Sequence, residues 1–287
     1  MSYNKRTMPL FKYYSPKKYN FAAIAQHQLF FCRPSGLNDP YDTTTVNINA
    51  FPGFCKKLNI KDRMFRKSLD EHTICCFSKD DKPDNLHLWA FYALNYEGFS
   101  VEYDENVLRN PFPSMIAPLP LLDVDYRDRP INLDGDDSFI IYETSNAGPR
   151  VPFREGSVMD CINEYILYGD NPKTDGLFLE LHLQKQSAIW KIENECRLIV
   201  GNVILSNLNS IYRKYFRKVC GRGLLLTIPE KAIKSITVGY RTSDKNKRRL
   251  KKIASKLNVK LFQATPYVED CNWTVRLDDI STKTNKP

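Results

Sequence analysis

The sequence lacks the long apolar segments that membrane proteins and exported proteins carry. No run approaches the roughly 18 apolar residues of a membrane-spanning helix. The first 15 residues also lack the apolar core of a secretory signal. From these two absences we expect a cytoplasmic protein that does not bind a membrane.

Cysteine and histidine spacings typical of metal sites are also missing. The 8 cysteines include no C-x-x-C pair, and several lie inside apolar runs. Buried, reduced thiols are therefore preferred over disulfides. The 4 histidines share no ligand spacing with one another or with the cysteines, so the sequence predicts no metal site.

Repeats, low-complexity tracts and convincing linkers are absent as well, so we expect one domain over residues 1–287. Its hydrophobic content of 42% suffices for a substantial core. The net charge of +9 favours acidic partners such as nucleic acid or nucleotides. An excess of this size also occurs in proteins without such partners.

Short strands alternate with helices along the chain. Near the C-terminus a strand (236–240), a basic helix (244–257) and a second strand (259–262) form a βαβ-like unit. This alternation predicts an α+β domain around a mixed sheet flanked by helices. Segment 127–154 is expected to be a lid or insertion, and segment 275–287 a flexible tail. Further predicted elements are strands 10–14, 29–32 and 121–126 and helices 19–28, 60–69 and 158–166.

The stretch from Thr73 to Asp104 reads as strand, aromatic helix and strand. Ser78 ends the first strand, and Asp84 or Asn85 can cap the helix. Gly98 supplies a C-terminal stop. The helix is expected to bury Leu86, Trp89, Ala90 and Ala93, and the second strand Phe99, Val101 and Tyr103. Ser78 and Tyr92 are the candidate site residues of this stretch, although packing in the core is the default explanation for Tyr92.

The segment Trp190–Val200 contains two closely spaced carboxylates. In a strand, Glu193, Glu195 and Arg197 would share one face. The carboxylates would repel each other, so a cation such as Arg197 is expected to hold them ionised. They could then orient a ribose hydroxyl or stabilise a positive charge. The alternative is an exposed strand face with a weak surface ion pair.

Two other polar segments carry alternative functions. The turn at 37–42 could line a pocket for a polar ligand with Asn38, Asp39 and Asp42, or be a structural Asx turn. In the basic helix, phosphates or a protein partner could be bound by Arg248, Arg249, Lys251 and Lys252. That helix is also explained as the solvated face of an amphipathic element.

Several motifs carry a family resemblance. They are LFKYYS, QLFFCRPSGLNDPYD, ICCFS with LHLWAFYALNYEGFSVEYD, WKIENECRLIV and ITVGY. In this order, over about residues 10–262, they resemble the bacterial family known as domain of unknown function 2971. The chain departs from the family pattern at Tyr41, Leu88, Phe91 and Ile192, where Phe, Met, His and Tyr are usual. A lysine of the family pattern corresponds to Gln186, with Lys185 beside it.

The element order is more distantly similar to the ADP-ribosyltransferase fold. That resemblance implies a partly split sheet and NAD as substrate, with Glu195 as the catalytic anion and Glu193 orienting the acceptor. It places Ser78 and Tyr92 beside nicotinamide. It also places Tyr13 or Lys12 near ribose or phosphate, and Asn38 and Asp39 of the turn are candidate NAD-binding residues beside them.

Three functions follow as hypotheses. The first is an ADP-ribosyltransferase-like enzyme or NAD hydrolase, acting on a macromolecular acceptor as a toxin or defence effector. The second is a non-catalytic module that binds nucleic acid or protein through the basic helix. The third is a hydrolase that acts on another nucleotide with Asp39, Asp42 and Glu195, and metal dependence would be the observation that distinguishes it.

Overall fold

A computed structural model describes the parts of the chain to which all structural statements below refer. These are residues 8–39, 42, 52–53, 56, 72–112, 119, 121–130, 132, 134, 138–142, 152–157, 183–200, 213–219 and 221–281. The expected helices at 60–69 and 158–166 lie outside this set.

Strands dominate the architecture. In chain order they are β1 (Leu10–Tyr14), β2 (Gln28–Cys32), β3 (Thr73–Lys79), β4 (Phe99–Tyr103), β5 (Leu121–Asp123), β6 (Asp125–Arg127), β7 (Ser138–Tyr142), β8 (Pro152–Ser157), β9 (Gln184–Gln186), β10 (Glu195–Val200), β11 (Phe216–Val219), β12 (Gly223–Thr227), β13 (Ile233–Val238), β14 (Lys260–Glu269) and β15 (Asn272–Asp279). An 11-stranded sheet has the order β11-β12-β2-β3-β1-β4-β13-β14-β15, with β10 between β3 and β5. β6 pairs with β9, and β7 with β8.

Helices are few and mostly short. They are α1 (Lys18–Ala25), α2 (Leu86–Phe91), α3 (Glu105–Arg109), α4 (Ser187–Trp190) and α5 (Asp244–Leu257). The α5 bounds match the expected ones, and its predicted inward residues are buried. The described helices include none with the length and apolarity needed to cross a bilayer.

The expected α+β class with a mixed sheet is confirmed. β13 and β14 are parallel, as the βαβ-like pattern predicted, whereas the other pairings of the large sheet are antiparallel. β7 and β8 pair within and beside the segment expected as a lid or insertion. β15 corrects the expected tail, because residues 275–279 belong to this strand.

The sheet divides at β3. One edge of β3 pairs with β10 from Thr73 to Ser78. The other edge is shared, because β2 pairs at Ile74 and β1 at Ser78 and Lys79. Between these two contacts the Lys12 ammonium donates to the Cys76 carbonyl oxygen, 3.0 Å away. This lysine satisfies a backbone acceptor in the gap between β1 and β2.

The two faces of the sheet carry different layers. On β10, Cys196, Leu198 and Val200 point into the core that α1 and α5 cover. Glu195 lies on the opposite face, since neighbouring strand residues alternate. In register, Glu195 stands opposite Ser78, and Ser78 opposite Phe11. Phe11 packs with α2 residues, so α2 covers the face on which Glu195 lies.

Two details of the aromatic stretch correct the sequence prediction. α2 is only six residues long, with Leu88 and Trp89 buried, whereas Leu86 is 46% exposed. Asn85 is the cap, because its side chain accepts from the Leu88 N–H. The helix ends before Gly98, which instead allows β4 to approach β1 closely.

Gly98→Ala is expected to lower the free energy of unfolding by about 2 kcal/mol, because the new Cβ would overlap the Tyr14 carbonyl oxygen. Urea unfolding monitored by circular dichroism measures this loss. Gly36→Ala is the matched control, since its Cβ would meet nothing nearer than 3.7 Å. Equal unfolding midpoints for the two variants would contradict the close approach.

Candidate functional site

The two glutamates of the E-x-E segment lie in different local structures. Glu193 ends a 3₁₀ turn (Lys191–Glu193), Asn194 is left-handed with φ of 44°, and β10 begins at Glu195. The prediction of one continuous strand is therefore wrong at Glu193. The Asn194 side chain donates to the Lys79 carbonyl oxygen, which fixes the bend against β3.

Lys185 of β9 joins the two glutamates. Its Nζ lies 2.5 Å from Oε2 of Glu193 and 3.0 Å from Oε2 of Glu195. The same ammonium lies 4.4 Å from the centroid of the Trp190 ring. Because all three charged side chains are buried, this contact holds both carboxylates in one place despite the bend.

Arg197 extends the charged network toward the turn after β2. Its Nε lies 2.8 Å from Oε1 of Glu195. Its two terminal nitrogens lie 2.7 and 2.5 Å from the Asp42 carboxylate oxygens. The guanidinium is fully buried, at 0% exposure. Arg197 is thus the cation beside the carboxylates that the sequence spacing predicted, with Asp42 as a second partner.

The pKa values of the three carboxylates in the network are shifted in different directions. Burial would raise the pKa of Glu195, but the Arg197 and Lys185 cations lower it to about 2. Burial raises the pKa of Glu193 despite Lys185, and it raises the pKa of Asp42 despite Arg197. Glu195 is therefore the permanently ionised member at neutral pH. Glu193 is the better proton acceptor of the two glutamates.

Polar groups of α2 and of the turn after β2 complete the contacts of Glu193. The Tyr92 hydroxyl donates to Oε1 of Glu193 at 2.8 Å, and the Asn38 amide donates to the Tyr92 oxygen at 3.1 Å. Nε2 of His87 lies 3.8 Å from the same Glu193 oxygen. Glu193 is thus contacted directly by Lys185 of β9 and by His87 and Tyr92 of the α2 region, and Asn38 supports it through Tyr92.

An aromatic rim, made of His87, Phe91 and Trp190, lies beside Glu193. The His87 and Phe91 ring centroids are 4.5 Å apart, and the His87 and Trp190 centroids 6.2 Å apart. Phe91 is 68% exposed, so the rim reaches the surface. These rings offer flat apolar faces next to the buried charges.

Ser78 lies beside Glu195 but contacts another group. Its hydroxyl donates to the Asp80 carboxylate, while the Glu195 N–H donates to the Tyr126 hydroxyl at 2.7 Å. Asp39 is buried in the turn with Asp42, whose N–H donates to the Asp39 carbonyl oxygen. Ser78 and Asp39 therefore border the network.

Within the described part of the chain, two predicted ligand residues form no hydrogen bond or ion pair with the network. Tyr13 packs edge-on against Trp89, with centroids 5.2 Å apart. Lys12 alternates with Tyr13 on β1 and lies on the α1 and α5 side, near the rings of Tyr14 and Phe77. Because successive strand residues point to opposite faces, the sequence could place only one of the pair beside Glu195.

The basic helix is remote from the network. Arg248, Arg249 and Lys252 are exposed on α5, and Lys251 is half-buried. α5 covers the sheet face opposite Glu195. These cations therefore do not contribute to the charged network.

The described residues form no cluster of three His, Cys, Asp or Glu side chains able to hold a metal ion. Of the three carboxylates in the nucleotide-hydrolase hypothesis, Asp42 and Glu195 are instead paired through Arg197. That hypothesis has no geometric support among the parts of the chain that the structure describes.

Lys185, His87 and Trp190 are the site residues that sequence reasoning missed. The family resemblance in the sequence drew attention to Gln186 with Lys185 beside it. Only the pairing of β9 with β6 brings the Lys185 ammonium between the glutamates. The strand has three residues, too few for any periodic signal. In the sequence, His87 stands out only as part of the aromatic helix, and Trp190 only as part of the segment expected to be a strand.

Comparisons with known proteins add no assignment to this geometry. No protein-family model matches the chain, and searches of the curated proteins and of the solved structures find no significant match. The family and fold resemblances read from the sequence therefore stay predictions.

Proposed function

We propose that the protein is an NAD-using enzyme, either ADP-ribosyltransferase-like or an NAD hydrolase. The observation that carries this proposal is the convergence of both E-x-E carboxylates on Lys185, with the Tyr92 hydroxyl on Glu193. Breaking the nicotinamide–ribose bond develops positive charge on the ribose. A pre-placed, ionised carboxylate stabilises such a charge.

Glu195 would supply that anion. Arg197 and Lys185 keep its pKa at about 2, so it stays ionised at any physiological pH. The contacts with both cations also fix its orientation, which removes the cost of reorganising the group during the reaction. Nicotinamide leaves with the bonding electron pair of the broken C–N bond.

Glu193 would orient and deprotonate the attacking group. Its pKa is raised by burial, which makes it a better base than Glu195. Water or an acceptor hydroxyl bonds to the ribose carbon, and its proton passes to Glu193. Tyr92, through its hydrogen bond, holds the carboxylate in position rather than stacking on nicotinamide.

The aromatic rim supplies the apolar contact that a planar ring needs. Phe91 and Trp190 flank His87, and Phe91 is accessible at the surface. Stacking on such rings suits either nicotinamide or adenine. In this proposal the rim would stack on the planar ring, whereas Tyr92, which the fold resemblance places beside nicotinamide, would orient Glu193.

The test incubates the purified protein with NAD, with and without nucleic-acid and protein acceptors. Chromatography then measures the nicotinamide that is released. Glu195→Gln is expected to reduce the rate at least about 100-fold, because the developing charge loses its anion. Glu269→Gln, an exposed carboxylate in a hairpin, is the matched control and keeps the rate.

Absence of nicotinamide release under every condition, or full activity of Glu195→Gln, would overturn the proposal. In bacteria, expression of the active chain as a toxin or defence effector would lower cellular NAD and slow growth. The Glu195→Gln variant would do neither.

A further inference from the structure

Helices α1 and α5 form a single surface. The Arg249 guanidinium lies 4.5 Å from the centroid of the Phe21 ring, and the Lys256 ammonium donates to the Ala25 carbonyl oxygen at 3.4 Å. Their buried residues belong to one core cluster. The second contact lies closer to the C-terminal end of both helices than the first. Helices α1 and α5 therefore run side by side in the same direction.

This surface carries cations from both helices. We call it the two-helix basic surface, defined by the exposed side chains of Lys17, Lys18, Tyr19, Arg248, Arg249, Lys252 and Lys256. The sequence contains no Asp or Glu from 15 to 37 or from 245 to 268. Asp244, in the first turn of α5, is the acidic residue adjoining it in the chain. The cations on the two helices are therefore not interspersed with acidic side chains of the same helices.

An exposed aromatic ring on α1 lies beside one of these cations. Tyr19 is 64% exposed, and the Lys17 ammonium lies 5.9 Å from its ring centroid. The basic helix alone contains no aromatic residue. Packing of α1 against α5 supplies the aromatic group that the sequence of the basic helix lacks.

The two-helix basic surface is separate from the candidate NAD site. α1 and α5 pack on the core that receives Cys196 and Leu198 of β10, whereas Glu195 points to the other face. A ligand on α1 and α5 is therefore separated from the glutamates by the thickness of the sheet. A ligand of the two-helix basic surface would thus be distinct from the NAD bound at the glutamates.

We propose that the two-helix basic surface binds the phosphate backbone of single-stranded nucleic acid, with an unpaired base stacked on Tyr19. Beyond Asp244 the cations of the surface are not interrupted by acidic residues of α1 or α5, which matches a phosphate backbone, and binding of such a backbone releases counterions. An exposed ring beside cations is the arrangement that holds unpaired bases, which a duplex does not offer. Bases stack on such rings without strong sequence preference, so either DNA or RNA fits.

The test measures binding of fluorescent dT and U oligonucleotides, a duplex of equal length and anionic lipid vesicles. With about four phosphates contacted, affinity for the single strands is expected to fall about 50-fold between 50 and 200 mM salt. In the first variant four cations of the surface are changed to Gln: Lys17, Lys18, Arg248 and Lys252. The matched control changes four exposed cations elsewhere: Lys82, Lys191, Lys231 and Arg276.

Both variants lower the net charge equally, so a difference between them reports the position of the cations and not the total charge. Only the surface variant is expected to lose binding, by about tenfold or more at 50 mM salt. Tyr19→Ala, with all charges intact, should weaken single-strand binding about fivefold or more and leave duplex binding unchanged. Equal losses in the two charge variants, no oligonucleotide binding at 50 mM salt, or binding to vesicles alone would overturn the proposal. Retained NAD turnover in the surface variant separates this result from that of the glutamate site.

Discussion

Replacing Arg197 by methionine is expected to lower the free energy of unfolding by about 3–5 kcal/mol. The guanidinium is completely buried and binds Asp42 through two nitrogens and Glu195 through a third. Methionine fills a similar volume but leaves two buried carboxylates without this partner. The lower free energy of unfolding therefore reports two buried carboxylates that have lost their cation, and not the creation of a cavity.

Urea unfolding of the purified variant at pH 7 gives the measurement. Arg276→Met is the control, because Arg276 forms an exposed pair with Asp278 and should change stability by no more than about 0.5 kcal/mol. In the Arg197→Met background, adding Asp42→Asn should recover part of the loss, since one stranded charge disappears. Similar losses for the Arg197 and Arg276 variants would contradict the buried network.

The stability of the protein is expected to depend on the ionisation of Glu195 in acid. Its folded pKa of about 2 lies below its ordinary value of 4.5. A lowered folded pKa means that the stabilisation is complete above the unfolded pKa and is lost as the pH falls from about 4.5 toward 2. A shift of this size corresponds to about 3 kcal/mol, about half of which is lost by pH 3.5.

Unfolding of the wild-type protein and of Glu195→Gln between pH 6 and pH 3.5 isolates this contribution. Glu193 and Asp42 have raised pKa values, so their protonation acts in the opposite direction; because the Glu195 charge contributes to both raised values, this opposing effect is smaller in Glu195→Gln. Glu195→Gln is expected to lose less stability than wild type over this range, by on the order of 1 kcal/mol. The exposed Glu269→Gln variant should follow the wild-type curve. Identical pH dependence of wild type and Glu195→Gln would show that the carboxylate is not held by the cations.

The elements best predicted from the sequence are those with strong local periodicity. The apolar stripe of α5 and the alternation in β4 both match the structure. The helix in the aromatic stretch was only partly predicted, because α2 has too few residues for its buried face to be read from spacing. At Glu193 a left-handed Asn194 interrupts the strand pattern, and no hydrophobic period signals such a bend.

The sequence by itself determined the α+β class, the two E-x-E carboxylates with Arg197 close by, and the excess of positive charge on α5 beyond Asp244. These properties depend on neighbours within one or two turns of the chain, so spacing encodes them. Only the tertiary structure decided that Lys185 bridges the glutamates and that Arg197 reaches Asp42. It also decided that α1 packs beside the basic helix and adds its cations to the same surface. Asp42 and Arg197 are 155 residues apart, and such contacts depend on strand register and helix packing, which no local pattern records.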